Sequence, residues 1–138
     1  MGDTTIEDLD RVLGALGFRR RRDRYVHPQV PFFVEFPRGP LGIGGDVRIR
    51  PVWRSRRGAK TLSLSATDSC RDRLAAYYHW NDRQSLAAAV AIAARNRVFL
   101  RKISEWSRLE GHPEGYESFL AELERARKSR RPLRPPAP

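Results

Sequence analysis

The chain has 138 residues, 40% of them hydrophobic, and a formal net charge of +11. That length and apolar content suit one domain with a real core and exclude a wholly disordered chain. A lone cysteine, Cys70, excludes an intrachain disulfide and a zinc site built on several thiolates. No apolar run approaches the roughly 20 residues of a membrane span, and the acidic start "MGDTTIEDLD" is not a signal peptide, so a cytoplasmic protein without a membrane partner is expected.

The first predicted element is a helix. Thr4 and Glu7 have the spacing of a capping box. Ile6, Leu9, Leu13 and Leu16 recur at helical steps, and Gly17 is placed to end the helix. Short extended segments follow: "RYVH" (24–27), "FFVEF" (32–36), "DVRIRPVW" (46–53) and "KTLSL" (60–64). Prolines and the glycine-rich "GPLGIGGD" mark the turns between them. This half reads as a helix and a small, mostly antiparallel mixed sheet.

The second half is helical. Ser65, Thr67 or Asp68 can cap a helix whose apolar face carries Cys70, Leu74 and Tyr77, and whose Trp80 is expected in the core. Asn81 or Asp82 can cap the alanine-rich "RQSLAAAVAIAARN", which is apolar on most sides and expected to be buried. "FLRKISEWSRLEG" places Leu100, Ile103 and Trp106 or Ser107 on one face and stops at Gly111. "EGYESFLAELERARK" groups Tyr116, Phe119, Leu120 and Leu123. The fold class is therefore α+β, with the helix and sheet followed by a bundle of about four helices. One domain is expected over 1–124, divided into 1–64 and 65–124, and then a basic, Pro/Arg-rich disordered tail over 125–138.

Charge is clustered. "RRRRDR" (19–24), "RSRRGAK" (54–60) and the tail hold much of the excess. Arg19, Arg20, Arg21, Arg22, Arg54, Arg56 and Arg57 are candidate nucleic-acid contacts, because such clusters attract phosphate backbones. Plain solubility is the competing explanation. His27, His79 and His112 lie far apart, outside any metal-ligand spacing. Cys70, on an apolar helix face, reads as core rather than nucleophile. Glu35 shares a strand face with Phe33, where it is either a metal ligand or a solvated acid paired with an arginine. Arg73 and Asp82 are half a turn out of phase on one continuous helix and can face a common site only if the helix breaks near Asn81. Capping alone also explains Asp82.

Three stretches carry a family resemblance: "LGFRRRRDRYVHPQVPFFVEFPRGPLGIG", "LSATDSCRDRLAAYYHWNDRQSL" and "ISEWSRLEG". Together they resemble the C-terminal two-thirds of small bacterial and archaeal nucleotidyltransferase-like proteins, in the broad AbiEii-like group of type-II abortive-infection toxins. The resemblance implies a mixed sheet flanked by helices and a two-magnesium site for nucleotidyl transfer to an RNA or protein acceptor. Carried over by position, Glu35 resembles the third metal-binding carboxylate, Arg73 the basic catalytic residue and Asp82 the later catalytic acid. The family's G-S or G-G…D-x-D motif does not precede "IEDLDRVLGALGF". The expectation is therefore a truncated or degenerate transferase related to toxin–antitoxin systems, with magnesium weakly held or lost and no other cofactor. RNA, a nucleotide or an antitoxin-like protein would be its partner. The alternative is a non-catalytic module that binds nucleic acid or a partner protein through its basic surface.

Overall fold

The structure, a computed structural model, describes residues 4–37 and 39–129. The described residues form five helices and five strands in the order helix, strands, helices expected of an α+β chain. Two compact units are resolved, residues 1–39 and 40–138, where the sequence suggests one domain divided near residue 64.

The first unit opens with α1 (Ile6–Ala15). Its capping box is one residue later than expected. The Thr5 hydroxyl accepts from the Asp8 N–H at 3.2 Å, and the Asp8 carboxylate accepts from the Thr5 N–H at 3.3 Å. Both orphan donors are thereby satisfied. At the other end Gly17 takes φ +88° and its position touches the His27 ring, so the expected glycine stop is present. The arginine run then does something the pattern did not suggest. Arg19–Arg21 is a strand, β1, which turns at Arg22 and Asp23 into β2 (Arg24–Val26). β3 (Phe33–Glu35) pairs with the other edge of β2, and all three strands are antiparallel. Tyr25, on the central strand, is 4% exposed. Its hydroxyl donates to Asp10 of α1 at 2.7 Å, which ties helix to sheet.

The second unit begins with the glycine loop. Ile43 and Asp46 close a tight turn over Gly44 and Gly45, and Ile43 drops into the core. The Trp106 indole N–H donates to the Ile43 carbonyl at 3.3 Å. The expected strand 46–53 forms only from Val52. Pro51, which lacks an N–H, directly precedes the ladder. β4 (Val52–Arg56) and β5 (Ala59–Ser63) make a separate two-stranded antiparallel sheet, so the strands divide between two sheets. Arg57 and Gly58 both have positive φ, as a two-residue hairpin turn of this twist requires.

Four helices follow: α2 (Ala66–Trp80), α3 (Arg83–Arg95), α4 (Leu100–Leu109) and α5 (Pro113–Ser129). Ser65 caps α2, accepting from the Asp68 N–H at 3.0 Å. The core gathers Cys70 and Leu74 of α2, Leu86, Ala89, Val90 and Ala93 of α3, Ile103 and Trp106 of α4, and Tyr116, Phe119 and Leu123 of α5. The small alanines let α3 approach α2 closely, and the Cys70 thiol lies 3.6 Å from the Ala89 carbonyl. Only this face of α3 is buried. Ala87 and Ala91 are exposed, contrary to the expectation of burial on most sides. Trp80 is also corrected: it is 77% exposed, one residue before the helix ends at Asn81. α5 runs on to Ser129, past residue 124, and residues 130–138 of the expected tail lie outside the described residues. No helix among the described residues is long and apolar enough to cross a membrane.

Candidate nucleic-acid interface

A groove of about 600 Å³ lies in the second unit, between the strand entering β4, the first turn of α2 and the link from α3 to α4. Arg48, Arg50, Arg54, Arg97 and Lys102 line it, against a single carboxylate, Asp68. Arg50, Arg54 and Arg97 have no acidic partner among the described residues, and Arg48 only approaches Asp46 at 3.8 Å. Trp53 and Phe99 stand in the same groove, 61% and 64% exposed. The start of α2, at Ser65 to Thr67, opens onto it and adds the partial positive charge of a helix N-terminus.

Beside this groove, and sharing Asp68 and Lys102 with it, lies a cluster of buried charge. Arg71, 1% exposed, donates from Nη1 to Asp68 at 2.9 Å and from Nη2 to Asp46 at 2.7 Å. Lys102 reaches the same Asp68 oxygen at 3.0 Å, and the Ser65 hydroxyl donates to the other at 2.7 Å. The guanidinium lies over the Trp106 ring, 5.0 Å from its centre. Arg71 Nε alone among the buried polar side-chain atoms of the described residues has no hydrogen-bond partner. Burial pushes the Asp68 carboxyl up, but the hydrogen bonds from Ser65, Lys102 and Arg71 outweigh it and leave the group below the usual carboxylate range. Asp46 is lowered as well, chiefly by its bond from Arg71.

The residues singled out in the sequence are distributed otherwise. Glu35 belongs to the first unit, where it is exposed and 3.6 Å from Arg24, so the arginine-paired acid describes it. Arg73 is paired with its neighbour Asp72 at 2.6 Å. The chain breaks at Asn81, which takes a left-handed conformation, and Asp82 caps α3. One Asp82 oxygen accepts from the N–H groups of Gln84 and Ser85 at 2.9 and 3.2 Å, and the other accepts from the Ser85 hydroxyl at 2.7 Å. The Ser85 side chain, then its N–H, holds the Asp82 carboxyl below the usual range, and the charge of Arg73 adds the smallest part. Magnesium needs several free oxygen ligands. Glu35 is engaged with arginine and Asp82 with backbone, and among the described residues no cluster of three His, Cys, Asp or Glu converges. A magnesium ion held by Glu35 or Asp82 would have to compete with these partners.

Of the arginines named as nucleic-acid contacts, Arg54 lines the groove, and Arg56 and Arg57 lie at the adjoining hairpin turn. Arg19–Arg22 form the first unit's hairpin, where Arg20 is 3.1 Å from Asp10. Sequence reasoning missed Arg48, Arg50, Arg97, Lys102 and the two aromatics. The alternation in "RIRPVWR" was a usable signal, whereas "RVFLRK" becomes part of the site only through the fold. Cys70 is core, as expected, and burial pushes its thiol up to about 12.

No family model, no curated protein and no solved structure matches this chain.

Proposed function

We propose that this chain is a non-catalytic module that binds nucleic acid through the groove of the second unit. The observation that carries the reading is the presence of Arg50, Arg54 and Arg97, all unpaired among the described residues, on one concave surface. A cleft lined by one sign of charge concentrates field and attracts a polyanion. Binding of this kind releases counterions, so the logarithm of affinity falls linearly with the logarithm of salt, by about 0.7 for each phosphate neutralised on a single strand. Three contacts give a slope of roughly −2. The test is fluorescence anisotropy with a labelled oligonucleotide between about 50 and 200 mM salt. Binding that weakens steeply over that range, and is lost when Arg50, Arg54 and Arg97 are all changed to Ala, supports the reading. Failure to bind at the low-salt end removes it.

Nucleotidyl transfer is the second reading, as a degenerate relative of the toxin-like enzymes with an antitoxin-like partner. What favours it is slight: the charge of Arg73 lowers the Asp82 carboxyl across the break at Asn81, as the smallest of the contributions to that shift. Transfer activity lost in Asp82→Asn with folding intact would support that reading against the binding module.

A further inference from the structure

We infer that the ligand of this groove is a single strand, held by stacking of its bases on Trp53 and Phe99 while its phosphates meet the flanking arginines. The inference rests on the nucleic-acid reading above and adds the form of the ligand.

Large aromatic side chains that leave a core expose apolar surface to water, which is costly unless something covers it. Trp53 and Phe99 do this within one groove, and neither ring contacts another ring or a cation among the described residues. Their backbones, by contrast, are fixed. Trp53 sits on β4 in register with Leu62 across the ladder. Phe99 stands immediately before α4, and its N–H donates to the Thr67 hydroxyl of α2 at 3.1 Å. An anchored backbone under a free ring makes a ready platform, because little further ordering is needed when a base lies down on it. Arg54 and Arg97 line the same groove as the two rings. A single strand carries both phosphates and flat base faces. Duplex bases are already stacked on one another and present only their edges. Sequence-tolerant stacking beside a basic track is how proteins hold single strands.

The experiment compares short probes of about eight nucleotides against the full chain: oligo-dT, oligo-rU, a duplex of the same length, and poly-glutamate of matched charge. At least one of the two single strands should bind at least tenfold more tightly than the duplex or the peptide. Trp53→Ala and Phe99→Ala should each weaken single-strand binding by roughly tenfold, with duplex binding changed by less than about twofold. Trp53→Phe, which keeps a flat ring, should retain most of the affinity while removing the Trp53 share of the fluorescence quench on binding. A preference for only one of oligo-dT and oligo-rU would assign the strand as DNA or RNA within the same inference. Equal affinity for duplex and single strand, unchanged by either alanine variant, overturns the stacking inference and leaves the phosphate-binding reading standing. Poly-glutamate that binds as tightly as the strands also overturns it. No binding by any nucleic acid at low salt removes both.

Discussion

The Arg71 guanidinium donates from Nη2 to the Asp46 carboxylate at 2.7 Å, joining α2 to the glycine loop across 25 residues of chain. Arg71 is buried and Asp46 is only partly exposed, so neither can exchange its partner for bulk water freely. Truncating Asp46 to Ala leaves part of a buried cation unpaired and should cost about 1–3 kcal/mol. Arg71→Met should cost more, about 3 kcal/mol or above, because it takes a charged donor from both Asp46 and Asp68. Urea unfolding measures both. The same pair sets an acid limit. Asp46 and Asp68 have folded pKa values below their unfolded ones. The stability they contribute is fully present above the unfolded value, about pH 4, and is lost as pH falls through the folded values. Arg71→Met should flatten that acid limb in a pH series of melts.

Gly44 has φ +58°, and a Cβ there would sit against the Glu110 carboxylate, whose Oε1 accepts from the Gly45 N–H at 2.7 Å. Any L-residue at Gly44 combines left-handed strain with loss of that seat. Gly44→Ala should destabilise by about 1–3 kcal/mol. Gly45→Ala is the control. Its Cβ meets Glu110 only at 3.4 Å and its φ is not positive, so a change within about 0.5 kcal/mol is expected.

Trp80 and Phe119 show what periodicity could and could not tell. The buried face of α2 is Thr67, Asp68, Cys70, Arg71, Leu74 and Ala75, a stripe at helical spacing. Trp80 falls outside that stripe; its size suggested the core, but its phase did not. Arg71 falls inside it, and a charge on a core stripe becomes intelligible only once Asp46 is brought to it from a loop. The groove was hidden for a related reason. Its residues come from three segments, 48–54, 65–68 and 97–102, and the regular strand expected over the first gives way to irregular backbone before Pro51. The helices of the second unit, by contrast, carry local signals, and Tyr116, Phe119 and Leu123 are buried as their spacing indicates. Trp80→Ala should therefore stay within about 0.5 kcal/mol of the parent, whereas Phe119→Ala, fully buried, should cost about 3–5 kcal/mol. Reversal of that order in paired thermal melts would refute the phase argument.

Asp82 separates structure from chemistry. Its carboxylate satisfies the first turn of α3 through Gln84 and Ser85. Asn caps about as well as Asp, so Asp82→Asn should leave the melting temperature nearly unchanged while Asp82→Ala lowers it. Equal loss in both variants would mean that the negative charge, not the capping oxygen, matters, and would favour the pairing with Arg73.

The cations of the groove are not equivalent. Arg50 and Arg97 have no acidic partner among the described residues, whereas Lys102 holds Asp68 at 3.0 Å beside buried Arg71. Removing a free cation should act on ligand binding alone. Arg50→Ala and Arg97→Ala should each reduce the salt slope by about 0.7 and leave the urea midpoint where it was. Lys102 is coupled through Asp68 to buried Arg71. A phosphate that draws its ammonium away must leave Asp68 to Ser65 and Arg71, so part of the attraction is offset by the lost pair. Lys102→Ala should therefore reduce the slope by less than either arginine variant, and it should lower stability because Asp68 loses one of its donors. Salt titrations and urea melts on the three variants give the two readouts separately. If Lys102→Ala weakens binding as much as the arginine variants while stability is unmoved, Lys102 acts as a free cation and the link between the groove and the buried Arg71 cluster is wrong.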